Sequence, residues 1–189
     1  MLLTTCGAAG GEKGPDTQAF CVHIAAANAP VEQIGELPPL TGRVADQANL
    51  LSPAAEDRLT RLSQSLEQRT GDQMVVVTVP SLRGHPIERV GRALGNGWGI
   101  GQRGKDNGVI LLVAPSEKQV RIEVGYGLDA FLTDARAREI VDADLLPGFR
   151  DGDPERAITR GSEAIARALL ARPDAPRVGA CRRGRCALS

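Results

Sequence analysis

Three aspartates stand where polar segments of this 189-residue chain give way to regular ones. Asp46 precedes the first helix, Asp106 precedes an apolar run, and Asp134 opens a later helix. Carboxylates without histidine or thiolate beside them form a hard oxygen donor set, which suits calcium or magnesium. Like charges brought together repel, so a cation is the natural resident of such a cluster. Lys105 and Arg103 lie close in sequence to Asp106 and would offset charge on a bound phosphoryl group. Each aspartate also has a plainer reading. Asp46 caps a helical turn, Asp106 closes a turn, and Asp134 caps its helix. The three meet if loops at the carboxyl ends of strands gather at one rim; chain order alone leaves that open.

Other candidates carry less chemistry. Gly99-Ile-Gly-Gln-Arg-Gly104 matches G-x-G-x-x-G, and Gly99 to Lys105 matches the start of a phosphate-binding loop. Both mechanisms need a strand before and a helix after. Here the helix precedes and the strand follows, and Asp106 replaces the Ser/Thr that would hold magnesium, so both are rejected. No G-x-S-x-G elbow is present. The only histidines are His23 and His85, and His85 reads as a solvated loop residue. Asp142 and Asp144 splay apart on a helix. Glu123 reads as a solvated strand residue paired with Arg121 or Lys118. Trp98 and Tyr126 read as core plugs, although a tyrosine between Gly125 and Gly127 beside a candidate site is harder to dismiss.

The elements that would position these residues follow from periodicity. Gly95 to Val113 organises the chain, a glycine-rich loop feeding the apolar run Val109–Ala114. That run, bounded by Gly108 and Pro115, reads as a strand buried on both faces. Ser52-Pro53 opens a helix with a serine N-cap and proline at its first position. Its apolar stripe is Ala55, Leu59, Leu62 and Leu66, and Gly71 ends it. Gln73–Val79 is a strand. Pro86 starts a second helix, with Ile87, Val90 and Leu94 on one face, ending near Asn96. Gln119–Gly125 alternates Val120, Ile122 and Val124 with Arg121 and Glu123, an outer strand hairpin-paired to the central one. Thr133 or Asp134 caps a third helix that Pro147 stops. Asp153-Pro154 opens a fourth, with Ala157, Ile158, Gly161, Ala164, Ile165, Ala168 and Leu169 as its stripe. Helices alternating with strands read as one α/β layered domain over about 41–171.

Residues 1–40 and 172–189 show no sustained period and read as disordered, the second segment as a basic tail. Leu2-Leu-Thr-Thr-Cys6-Gly7 resembles a lipoprotein cleavage box, with no room before it for a complete signal peptide. Lys+Arg and Asp+Glu both number 23, which argues against nucleic acid as a partner. No apolar run is long enough for a transmembrane segment. The cysteines, Cys6, Cys21, Cys181 and Cys186, lie near the ends, outside the domain, and Cys181 and Cys186 read as a local disulfide or two free thiols.

Several blocks together resemble the TPM domain family. They are Gly42-Arg-Val-Ala-Asp46, Trp98-Gly-Ile-Gly101, Lys105-Asp-Asn-Gly108-Val-Ile-Leu-Leu-Val113, Arg121-Ile-Glu-Val-Gly-Tyr-Gly-Leu128, Leu132-Thr-Asp-Ala135 and Pro147-Gly-Phe-Arg150-Asp-Gly-Asp153. The resemblance spans roughly residues 41–170. It implies a three-layer α/β/α sandwich, a small mixed sheet flanked by helices. It implies a largely extracytoplasmic setting, periplasmic or lipid-anchored. Some relatives are described as weak acid phosphatases, and some bind calcium or other divalent ions at an acidic rim. The positions matching that rim are Asp46, Asp106 and Asp134 as metal ligands, with Asn107 and Tyr126 as neighbours. Two functions follow as expectations. One is a calcium-binding module acting on or beside a membrane or envelope protein. The other is a metal-assisted phosphatase of phosphomonoesters with Asp106 and Asp134 as catalytic carboxylates.

Overall fold

The structure is a computed structural model describing residues 39–172 and the backbone of residues 21–22. The remaining terminal residues, including the cleavage-box segment, Cys6, Cys181 and Cys186, lie outside the described residues. The chain builds a mixed sheet with helices on both faces. Its strands are β1 Cys21–Val22, β2 Val44–Asp46, β3 Gln73–Thr78, β4 Gly108–Ala114 and β5 Gln119–Val124. They lie in the order β1-β5-β4-β3-β2. β2, β3 and β4 run parallel, and β5 returns antiparallel to β4. The two-residue β1 falls inside the segment expected to lack regular structure and pairs parallel with β5.

β4 is buried along its whole length, as its unbroken apolar run requires. Its alternate side chains feed two cores. Val109, Leu111 and Val113 face α1 (Pro53–Thr70), α3 (Asp134–Ile140) and α5 (Pro154–Leu170). Ile110, Leu112 and Ala114 face α2 (Ile87–Trp98). The result is the three-layer α/β/α sandwich. Helix boundaries follow local chemistry. Ser52 Oγ accepts from Ala55 N, and Gly71 closes α1 at φ 80°, in the left-handed region that costs glycine nothing.

Two expectations about the elements are corrected, and one boundary shifts slightly. α2 ends at Trp98, two residues past Asn96, so the start of the expected glycine loop is helix. Gly91 explains the composition: a methyl there would lie 3.2 Å from Glu123 Oε2, so the helix packs tightly on β5. Pro147 does not stop the third helix. The chain widens through a π turn, Val141–Leu145, and continues as α4, Leu146–Arg150. Leu146 N bonds Val141 O across that wider turn, which lets the proline, lacking an N–H, ride inside a helical run. The polar face of β5 is not an outer face: α2 covers it, leaving Arg121 only 5% exposed. Among the described residues no helix is long and apolar enough to cross a membrane.

Candidate functional site

A cleft of 860 Å³ opens where α2, the amino end of β4, the carboxyl end of β5 and the start of α3 converge. Antiparallel pairing makes this meeting possible. Val124 pairs with Val109, so the chain leaving β5 emerges beside the residues entering β4. Asp106, Glu123, Asp129 and Asp134 line the cleft, together with Arg92, Arg121 and Tyr126.

Two glycines bind the two approaches to the cleft together. Gly125 N donates to Gly108 O at 2.8 Å and Gly127 N donates to Asp106 O at 3.1 Å. A methyl on Gly125 would collide with the Asp106 carbonyl, and one on Gly127 with the Lys105 carbonyl. The 3-10 turn Tyr126–Leu128 that follows Gly125 buries Leu128 and displays Tyr126, which is 78% exposed. The reading of Tyr126 as a core plug is therefore corrected. Trp98 is half-buried and packs on the α2-side core.

The loop between α2 and β4 is held from beneath. Gly101 N donates to Gln73 Oε1 at 2.8 Å, and Gln102 N donates to Asn107 Oδ1 at 2.9 Å. Asn107 Nδ2 donates to Gly71 O at 2.8 Å and to Asp72 Oδ1 at 3.3 Å. Asn107 is buried, and its amide is committed to fastening the loop rather than facing the cleft. Asp106 beside it takes φ +47°, a left-handed conformation that aspartate tolerates better than most residues. That twist leaves Asn107 inward and Asp106 exposed.

Of the three aspartates singled out in the sequence, Asp106 and Asp134 line one cleft and Asp46 does not. Asp46 pairs with Thr78, and Thr78 pairs with Val113, five positions along β4 from Gly108. At about 3.3 Å per residue it stands roughly 17 Å away, at the far end of the parallel strands. Its carboxylate accepts from Leu50 N at 3.1 Å, from Leu51 N at 2.8 Å and from the Thr78 hydroxyl. The expectation that it joins the others is corrected: it ties down the loop leading into α1. The common rim at the carboxyl ends of the parallel strands is corrected too, since the cleft forms at their amino ends.

The sequence pattern missed four lining residues. Asp129 follows the Gly-Tyr-Gly turn by two positions and reads as an ordinary loop acid. Glu123 is not solvated: its side chain is 19% exposed and pairs with Arg121 at 2.5 Å. Arg121 and Arg92 supply the positive charge of the cleft, whereas Arg103 and Lys105 sit exposed on the loop and do not line it. Strand alternation places Arg121 on a polar face, but only the position of α2 makes that face a cleft wall.

The carboxylates of Asp106, Asp129 and Asp134 make no side-chain hydrogen bond or ion pair among the described residues. Unpartnered hard oxygens are the donor chemistry that calcium or magnesium takes. Among the described residues, no three His, Cys, Asp or Glu side chains form a ready-made metal cage.

Comparisons with known proteins agree on the architecture. The family model described as the TPM domain matches residues 44–168. The N-terminal domain of a P. gingivalis protein, solved by solution NMR, is similar at a TM-score of 0.64 and 30% identity. That match covers 69% of this chain and 83% of the other. The BA42 protein of the psychrophilic bacterium Bizionia argentinensis is similar at 0.55 and 17% identity, over 64% and 81% of the two chains. The N-terminal domain of the cg2496 protein from Corynebacterium glutamicum is similar at 0.55 and 16% identity, over 74% and 89%. These last two likenesses speak to fold alone. No curated protein matches this chain. With the family model covering most of the chain and a solved relative sharing its sandwich, this protein belongs to the TPM domain family.

Proposed function

We propose that the domain is an extracytoplasmic calcium-binding module acting on or beside a membrane or envelope protein. The observation that carries this reading is the set of three carboxylates along one cleft, Asp106, Asp129 and Asp134, that find no side-chain partner among the described residues. Without a preformed cage, an ion there would keep part of its water shell and draw the carboxylates inward. Asp106 sits on a loop pinned at Gln73 and Asn107, while Asp134 sits on the first turn of α3. A bound cation would therefore cross-link two separately anchored segments and stiffen the mouth of the cleft. Family membership supports the extracytoplasmic setting. Calorimetric titration of the full chain with calcium chloride tests the proposal, with Asp106→Asn as comparison. Binding that weakens in the variant is the expected result; no heat of binding at millimolar calcium removes the reading.

A second reading, a metal-assisted acid phosphatase of phosphomonoesters, is favoured by one observation. Arg92 and Arg121 line the same cleft as the carboxylates. A guanidinium can neutralise phosphoryl oxygens through paired hydrogen bonds. A divalent ion, when bound, would polarise a phosphate oxygen and acidify a water. In this reading Asp106 and Asp134 orient the reacting groups, and Arg121, held by Glu123, receives the phosphoryl charge. Hydrolysis of p-nitrophenyl phosphate that survives both chelation and Asp106→Asn would rule it out.

A further inference from the structure

We infer that the arginine-rich segment 177–185 of this chain docks into its own acidic cleft, laying its guanidinium groups against Asp106, Asp129 and Asp134 and over the ring of Tyr126.

Where the described chain ends is the first support. Arg172 NH1 bonds the buried Asp72 carboxylate at 2.9 Å, and Arg172 NH2 donates to Thr70 O at 3.3 Å. Its guanidinium also lies 5.4 Å from the centre of the Phe131 ring. Asp72 is in turn bonded by Asn107, the neighbour of Asp106, and Phe131 lies between Asp129 and Asp134. Arg172, the last described residue, is therefore held at the end of the sheet at which the cleft opens, not at the Asp46 end.

Charge is the second. After Arg172 the sequence holds Arg177, Arg182, Arg183 and Arg185 against a single acid, Asp174. In the cleft, Arg121 and Glu123 neutralise each other, leaving three carboxylates against Arg92. The two surfaces are complementary, although the whole chain is neutral.

Reach is the third. Arg177 lies five positions beyond Arg172 and Arg185 thirteen. Extended, these span roughly 17 Å and 43 Å, against at most about 11 Å for the three-residue path from Phe131 to Asp134. A short tether holds its end at an effective concentration on the order of millimolar, so contacts too weak to bind a free peptide suffice. Tyr126 adds a rigid, exposed ring with flanking glycines locked against the loop, a geometry suited to stacking a guanidinium.

The inference needs no metal. It does set the basic segment against any cation for the same carboxylates, so the test is run in chelator, where the calcium reading plays no part. The full chain is compared with a full-length variant carrying Arg177→Gln, Arg182→Gln, Arg183→Gln and Arg185→Gln, both under reducing conditions. Amide NMR shifts are recorded at low salt and again near 1 M, where the screening length falls to about 3 Å. Docking predicts shift differences between the two chains at Tyr126, Asp129 and Asp134 that disappear at high salt and are lost in Asp129→Asn/Asp134→Asn. Identical cleft shifts in the two chains at low salt overturn it. So do differences that grow with protein concentration, which would place the segment in a neighbouring molecule.

Discussion

Gly127 lies so close to the carbonyl oxygen of Lys105 that no β-carbon fits between them. This contact locks the turn displaying Tyr126 to the loop carrying Asp106. Gly127→Ala is expected to destabilise the fold by about 1–3 kcal/mol, the usual cost of forcing a methyl into packed structure. Urea unfolding measures the loss, and amide shifts should move along residues 102–108. Gly104→Ala is the control, because nothing lies within 4 Å of a methyl there. Its cost comes from backbone strain at φ +77°, with the cleft unmoved. A Gly127→Ala protein as stable as the parent would show that the two loops separate easily.

Asp46 and Asp106 are expected to respond to substitution in opposite ways. Asp46→Ala removes the acceptor for Leu50 N, Leu51 N and the Thr78 hydroxyl, and should cost about 1–3 kcal/mol of stability. Calcium affinity measured by calorimetry should stay unchanged. Asp106→Asn should leave the unfolding midpoint near the parent's and weaken calcium by about tenfold, or 1.4 kcal/mol. The reverse pattern would return Asp46 to the site and take Asp106 out of it.

Arg121 and Glu123 form a pair with side chains 6% and 19% exposed. Removing one partner takes a charge-assisted bond from a buried guanidinium, so Glu123→Ala should lower stability by about 1–3 kcal/mol. Replacing both, with Arg121→Met and Glu123→Leu, should recover most of that loss, because two well-packed apolar groups remove the desolvation penalty. The double variant should nonetheless lose any phosphoester hydrolysis the parent shows. Chemical denaturation of the parent and the two variants measures the loss and its recovery; a single variant costing under about 1 kcal/mol would mean that water reaches the pair.

The clasp at the end of α5 supplies a further test. Asp72 is fully buried between Arg172 and Asn107. Asp72→Ala should cost about 1–3 kcal/mol, because Arg172 and Asn107 each lose a carboxylate acceptor. It should also shift the amides of Gln102 and Asn107, since the loop beneath the cleft is hung from that carboxylate. A loss of stability with those amides unmoved would show that the clasp holds only the helix end.

Much of the fold was readable because its causes are local. Ser52-Pro53 and Gly71 bracket α1 through capping that needs no distant partner. The unbroken apolar run of β4 marks a strand covered on both faces, and the alternation in β5 marks its hairpin partner. Such patterns, with the ordered family blocks, sufficed for the sandwich. They also singled out Asp106 and Asp134 as loop-junction acids.

Tertiary structure alone decided which acids share a cleft. Because β5 runs back against β4, its carboxyl end delivers Tyr126, Asp129 and Asp134 to the amino end of β4, where Asp106 waits. Because β2 runs parallel to β3 and β4, Asp46 is carried to the other end. Strand direction leaves no local mark, since side chains alternate with the same period either way. It is settled by which faces of the helices find cover, and α2, packing through Gly91 onto β5, made a polar strand face, Arg121 and Glu123, into the wall of a cleft.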